Sequence, residues 1–433
     1  MDSIEKQWTP LKKFIFFFFF IFFICEFFLS PNLFVTLFGF NIKIADWFDS
    51  KYYPLNIWLN DKLFHFPFDK DKYFPAAVPE FIQHIFFLCI ALLGSFIWLF
   101  IDRKRRTYNQ LSYWFNTVML YVLSIITFAY GIDKLIPVQM PTPNLYSLNT
   151  KLGNHIPVNV LWGLMGAGKS YQMFSGLMEV VGAVLLLRKK SAVLGLLILL
   201  GVYSNVIMMN YAFFIGVIYF AIILFSLSLY LLWPYTKKLW NFFWKNQEEN
   251  LSSNAILIAK SLKYKFILLP LLLLTLISYS FNTYNALKSF KEKSVREKTT
   301  LIYKVDTFIA NSDTVKAIEN DNKRWQYWVE YENEGKKYLS IMPMNMSKAN
   351  KYNILQDTLN GKIALSKTSK SENNEPPVIL NYTRISDRAF TVNGNYAGQE
   401  IKVSLTKFYI DSLPLLIRKP NLLPYNTTNE NNK

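Results

Sequence analysis

The residue of this chain with the most chemistry to offer is a carboxylate inside an apolar run. Glu179 lies in Tyr171–Leu187, nine residues before Arg188. A helix rising about 1.5 Å per residue therefore sets it roughly 13 Å from that basic boundary. A charged side chain at such depth in lipid is costly, so it is either neutral or paired, and it marks a functional position by default. Tyr130 and Lys134 at the end of one neighbouring apolar run, and Ser204 and Asn205 in the next, are the partners within reach. Two readings stay open for Glu179: an interhelical hydrogen bond that fixes packing, or a site for a ligand, a quinone or a proton. Glu26 is a second carboxylate in an apolar run, and His84 is expected at an interface.

A sharper pattern is misleading. Gly163-Leu-Met-Gly166-Ala-Gly168-Lys169-Ser170 matches G-x-x-x-x-G-K-[ST], whose backbone amides cradle phosphates. Its surroundings speak against that chemistry. The following Met173–Leu187 is suited to lipid rather than amphipathic, and no alternating strand–helix series surrounds it. The charge pattern also puts Lys169 and the acidic candidate Asp102 on opposite sides of a bilayer core about 30 Å thick. Gly163–Ser170 is read as a chance match, no nucleotide is expected, and its glycines serve tight turning or close packing.

Other chemistry is sparse. His65, His84 and His155 are scattered without ligand spacing, so no metal site is expected. No nucleophile elbow is present, no catalytic residue can be named, and the chain is not expected to have catalytic activity of its own. Cys25 and Cys89 both fall in apolar runs, far from any CxxC pair, and read as buried thiols.

The elements that must position Glu179 follow from composition. Of 433 residues 52% are hydrophobic and 18% charged, and Phe alone numbers 38. This excludes a disordered chain, a collagen-like repeat and a disulfide scaffold, and makes a purely soluble enzyme a poor fit. Seven runs approach the roughly 20 apolar residues that a spanning helix needs: Phe14 to about Phe40, Phe81–Ile101, Ser112–Ile136, Tyr171–Leu187, Ser191–Met209, Phe213–Trp233 and Tyr264–Phe281. The first lacks a cleavage site and reads as an uncleaved anchor. With the N-terminus in the cytoplasm, 16 Lys and Arg fall in inside loops and 8 in outside loops, so the basic excess favours that orientation. Much of the +17 charge is thus topology signal, and its dispersal excludes a nucleic-acid face.

After Phe281 the pattern changes to period-two alternation. Leu301–Ala310, Arg324–Glu332, Lys337–Pro343, Lys362–Lys367, Val378–Arg384, Ala389–Asn393 and Ile401–Tyr409 read as strands, punctuated by Gly335, Gly361, Gly394 and Gly398. About seven or eight antiparallel strands predict a small barrel or sandwich. Trp325, Tyr327, Trp328 and Tyr331 are expected in its core.

Spans three to six carry a resemblance. Tyr130-Gly131-Ile-Asp133-Lys134-Leu-Ile-Pro137 is followed by Phe174-Ser-Gly176-Leu-Met-Glu179-Val-Val-Gly182 and Leu200-Gly201-Val-Tyr-Ser-Asn205-Val-Ile-Met-Met-Asn210. The G-x-x-K-x-x-P exit and the G-x-x-E-x-x-G helix resemble the DoxX-like family of multi-pass bacterial membrane proteins, particularly its long Bacteroidetes forms. The match covers about Ser112–Trp233. The resemblance implies a four-helix core and, by position, polar roles for Lys134, Glu179, Asn205 and Asn210. It also implies a tie to quinone-linked oxidase subunits in some relatives. Arg418-Lys419-Pro420 departs from the ending of the long forms.

The layout expected is a two-span region at 1–110 with an outside loop at 41–80, the DoxX-like four-helix core at 111–235, and a cytoplasmic linker at 236–263. A last span at 264–281, a linker at 282–298, an exported all-β domain at 299–418 and a disordered tail at 419–433 follow. The fold class is thus a membrane helical bundle with an extracytoplasmic β domain, in the bacterial inner membrane. The expected function is an accessory or ligand-binding component, with Glu179, Lys134, Asn205, Tyr130 and Asn210 around a quinone or other hydrophobic molecule. A proton-coupled transporter, or an anchored protein acting through its exported domain on an envelope protein partner, are the competing classes.

Overall fold

The computed structural model describes residues 7–38, 43–67, 77–252, 262–319, 321–333, 335–346, 349–357, 360–368 and 376–417. The chain divides into two compact units, Met1–Pro141 with Val160–Leu287, and Thr142–Asn159 with Lys288–Lys433. The expected tail at 419–433, the Arg418-Lys419-Pro420 ending and most of the stretch 371–377 lie outside the described residues.

The first unit is helical. Helix α1 (Pro10–Phe28) opens where the Thr9 hydroxyl accepts a hydrogen bond from Lys12 N at 3.2 Å and Pro10 presets the first turn. Pro31 disfavours helix at the residue before it, so the run expected as one span breaks into α1 and the short α2 (Asn32–Phe38). Part of the expected outside loop is helix α3 (Lys43–Leu59). Helix α4 (Ala77–Ile101) packs on α1, with Phe17 stacked on Trp98 at 4.5 Å between ring centroids. The far face of α4 exposes Leu92, Leu93, Phe96, Ile97 and Phe100. Cys25 is buried as expected, whereas Cys89 is exposed on α4.

Helix α5 (Asn109–Leu135) is the central element, buried along most of its length. The expected fourth span is two helices, α7 (Pro157–Ala167) and α8 (Lys169–Leu186), parted at Gly168. Helices α9 (Ala192–Ala212) and α10 (Ile218–Leu232) follow, and the stretch expected as a linker begins with an amphipathic helix, α11 (Thr236–Lys245). Helix α12 (Leu262–Thr299) runs unbroken through the expected last span and through the expected linker at 282–298, because nothing in Lys288–Thr299 breaks a helix. It is fastened to α5 by Tyr279, whose ring stacks on Phe128 and whose hydroxyl lies 2.6 Å from Ser124 Oγ.

Among the described residues four helical stretches are long and apolar enough to cross a membrane: Glu80–Ile101, Asn109–Leu135, Ala192–Ala212 and Ile218–Lys245. Two of the other expected spans carry more charge or polarity. Helix α1 carries Lys12, Lys13 and Glu26 in 19 residues, and α8 carries Lys169 and Glu179 in 18.

The second unit is an antiparallel barrel of eight strands. These are β1 (Leu301–Ala310), β3 (Trp325–Asn333), β4 (Lys336–Pro343), β5 (Asn350–Asp357), β6 (Lys362–Lys367), β7 (Val378–Arg384), β8 (Ala389–Tyr396) and β9 (Gln399–Phe408), with a two-residue β2 (Asp313–Thr314) beside β1. Each strand pairs with the next, and β1 closes on β9 from Ile302↔Phe408 to Ala310↔Ile401. Ala397 (φ 50°) and Gly398 (φ 80°) turn β8 into β9, the positive pair that a tight hairpin needs. Strand β5 was not foreseen. Its Asn, Lys, Gln and Asp residues have poor strand propensity, although Tyr352 and Ile354 alternate inward.

The segment Thr142–Asn159, which leaves α5 and returns to α7, folds with this unit. Its helix α6 (Leu145–Asn149) packs Leu145 on Tyr327, Val329 and Met346, and Tyr327 Oη donates to Asn149 Oδ1 at 3.2 Å. Tyr327 and Val329 therefore face outward on β3 while Trp325 and Trp328 belong to the barrel core.

Candidate functional site

Two glycines create the site. A Cβ on Gly176 of α8 would stand 2.4 Å from Leu135 N and 2.5 Å from Gly131 O, and one on Gly131 of α5 would stand 2.9 Å from Glu179 Cβ. The backbones of α5 and α8 thus meet closely, as small residues permit between membrane helices. Lys134 and Glu179 each lie three residues beyond one of these glycines, on the same helix faces. They meet there as a buried ion pair, Lys134 Nζ to Glu179 Oε1, with relative exposures of 8% and 2%.

The pair leaves chemistry unused. Glu179 Oε2 is buried and has no hydrogen-bond partner among the described residues, and the same holds for Asn210 Nδ2 on α9 and Gln139 Oε1 after α5. All three residues line one cavity of about 100 Å³, together with Thr127, Tyr130 and Lys134 of α5, Trp162 of α7, Tyr203 of α9 and Phe220 of α10. Buried polar atoms are almost always satisfied, and these two acceptors and one donor give the space hydrogen-bonding capacity for a polar group. The rest of the lining is apolar, including Met140, Leu161 and Met165. Gln172 anchors the floor through Nε2, which donates to Met140 O at 3.0 Å, and Tyr203 pairs its hydroxyl with Thr127.

Four of the five expected site residues, Glu179, Lys134, Tyr130 and Asn210, line this cavity. Asn205 does not. It is exposed on α9, because the inward stripe of that helix runs through Tyr203, Val206 and Asn210 at helical spacing, and Asn205 falls outside it. Ser204 is exposed as well and bonds its own helix at Leu200 O. Tyr203 and Gln139 were missed. Stepping back seven residues from Asn210 along the helix would have found Tyr203.

Glu26 is only 1% exposed, and His84 Nδ1 lies 3.0 Å from both its carboxylate oxygens. His84 is therefore an interhelical partner between α1 and α4 rather than a free interfacial side chain. His155 Nε2 contacts Ser147 O, and among the described residues no group of three His, Cys, Asp or Glu could hold a metal ion. Gly163–Ala167 are helical and Lys169 begins the next helix, so this stretch has no strand–loop–helix cradle.

Against known proteins, the chain is similar to the uncharacterized protein YwoB of Bacillus subtilis (strain 168). The two are 32% identical over 118 residues, which cover 27% of this chain and 73% of that protein. No protein-family model matches the chain, and no solved structure matches it.

Proposed function

Since the chain belongs to the same family as YwoB, we propose that it is a multi-pass inner-membrane protein that binds the head group of a quinone in the α5–α10 cavity. A DoxX-like core in a seven-span frame would supply that binding site. The observation that carries this reading is the trio of unpaired buried atoms, Glu179 Oε2, Gln139 Oε1 and Asn210 Nδ2, around one cavity. A quinone carbonyl accepts from Asn210 and Lys134, and the hydroxyl of its reduced form donates to Glu179 Oε2. Ligand pockets that enclose a whole drug-sized molecule measure about 300–1,000 Å³. At about 100 Å³ this one suits a ring, with the isoprenoid tail leaving between helices into lipid. Tyr130, 38% exposed, stands at the open edge.

Membrane placement has four supports. The outer face of α4 is an apolar surface of the kind that lipid covers. Helix α11 stacks Trp240 on Trp244 beside Lys237, Lys238 and Lys245, the composition of a helix lying in a cytoplasmic interface. The N-terminal segment meets the basic turn before α5 at one end: Trp8 Nε1 donates to Asn109 Oδ1 at 2.7 Å and Lys13 Nζ to Arg105 O at 2.5 Å. Thr142–Asn159 belongs to the same unit as the C-terminal domain, which agrees with an even number of crossings between them. The test is the quinone content of the purified protein, retained in the wild type and lost in Glu179→Gln.

A further inference from the structure

We infer that the basic turn between α4 and α5 binds one anionic phospholipid, whose acyl chains lie along the outer face of α4. This rests on the membrane placement proposed above and is independent of the cavity at Glu179. Arg103-Lys104-Arg105-Arg106 follow α4 directly, and all four are exposed. The one acid of the turn, Asp102, is engaged by the Tyr108 hydroxyl, which donates to Asp102 Oδ2. Among the described residues no carboxylate forms an ion pair with any of the four basic side chains. Their charge is offered outward.

Membrane orientation asks only that such a turn be basic; this one also has a fixed shape. Trp8 N donates to Arg106 O at 3.0 Å and Lys13 Nζ to Arg105 O at 2.5 Å, so the start of α1 holds two successive carbonyls of the turn. Arg105 is turned back on the bundle, its guanidinium 4.7 Å from the Tyr108 ring centroid and its Nε donating to Thr107 O at 3.3 Å. Arg103 lies instead against α4, its guanidinium 4.8 Å from the Phe100 ring centroid. Phe100 ends the face that Leu92, Leu93, Phe96 and Ile97 expose, and α4 is the least buried of the four long apolar helices. Apolar surface and cation thus meet at Phe100 and Arg103, as acyl chain and phosphate meet in a phospholipid. A guanidinium forks onto phosphate oxygens, and the unbalanced charge of Lys104 and Arg106 beside it favours a net-negative headgroup over a zwitterionic one. A soluble phosphate ester would leave the α4 face uncovered. A second copy, sharing its orientation in the bilayer, would set two basic turns side by side.

The test titrates the delipidated full chain in non-ionic detergent with phosphatidylglycerol or phosphatidylcholine and counts bound lipids by native mass spectrometry. Expected is one phosphatidylglycerol that saturates first, its affinity about ten-fold or more above that of phosphatidylcholine and lowered about ten-fold or more in Arg103→Gln/Lys104→Gln/Arg106→Gln. Arg188→Gln/Lys189→Gln/Lys190→Gln removes equal charge from another exposed turn and should leave that lipid in place, as should Glu179→Gln. Both triple variants change exposed side chains and should keep the wild-type unfolding midpoint. Glycerol 3-phosphate should not displace the lipid. Equal binding of the two lipids, equal loss in both triple variants, displacement by glycerol 3-phosphate, or a protein dimer in place of the lipid adduct would each overturn the assignment while leaving the membrane placement standing. Binding of neither lipid would overturn both.

Discussion

Lys134 and Glu179 are each costly to bury and tolerable only together. Removing one partner of a buried pair leaves an uncompensated charge and costs about 3–5 kcal/mol, whereas replacing both by apolar residues of similar size is often neutral. Lys134→Met should therefore lower the unfolding midpoint in a given detergent clearly, and Lys134→Met/Glu179→Met should recover most of the loss. A double variant as unstable as the single one would show that the pair is not the source of the effect. In the barrel, burial pushes the Glu330 carboxyl above its usual range, against the opposing Trp328 hydrogen bond and the Lys337 charge. A raised folded-state value favours the protonated form. Its stabilising contribution is complete below the unfolded-state value and is lost as pH rises through the folded one. Glu330→Gln should accordingly be at least as stable as the wild type at neutral pH, with the difference shrinking towards acid pH. Tryptophan-fluorescence unfolding across that range measures it, and a wild-type advantage growing with pH would contradict the sign.

Among elements, the approach of α5 to α8 decides whether the site exists. An alanine at Gly176 would meet backbone atoms at 2.4–2.8 Å, which cannot move without parting the two helices. Overpacking of this kind costs about 1–3 kcal/mol. Gly176→Ala should thus weaken both stability and quinone retention, while Gly201→Ala, with nothing within 4 Å, should leave retention intact. Quinone loss in both, or in neither, would reject the close approach as the organising feature. The same pair of helices shows what the sequence could reveal. The spacing G-x-x-K and G-x-x-E was visible, and so were most strand positions, because alternation and helical period are local signals. Tyr203, Gln139 and the Glu26–His84 pair were not visible, since each depends on which helix lies alongside. Asn205 looked equivalent to Asn210 in the chain and differs only in the side of α9 on which it falls. Strand β5, polar in all but its inward residues, hid for the opposite reason.

For the whole molecule, the segment Thr142–Asn159 ties one interhelical connection to the β unit, through Leu145 and Asn149 on β3 and an exposed Lys151–Glu319 ion pair at 2.5 Å. Such an exposed pair adds little by itself, so the apolar contact of Leu145 is the main fastening. In the proposed orientation this segment and the barrel lie outside, and the basic turn Arg188–Lys190 lies inside. In a Cys25→Ser/Cys89→Ser background, single cysteines at Lys151 and Lys402 should react with a membrane-impermeant maleimide in intact cells. One at Lys189 should react only after permeabilisation. Labelling of Lys189→Cys in intact cells, or protection of the other two, would invert or rule out the seven-span arrangement.

The central claim is that the cavity around Glu179 holds a quinone ring, and its most direct measurement is an anaerobic titration of the delipidated full chain with a short-chain benzoquinol, the reduced form whose hydroxyl donates to Glu179 Oε2. Saturable one-to-one binding is expected for the wild type and for Asn205→Ala, whose side chain lies outside the cavity. Affinity should fall about ten-fold or more in Glu179→Gln and Asn210→Ala, as expected when a buried hydrogen-bonding partner is lost. Undetectable wild-type binding, or affinities that do not distinguish Glu179→Gln from Asn205→Ala, would contradict it.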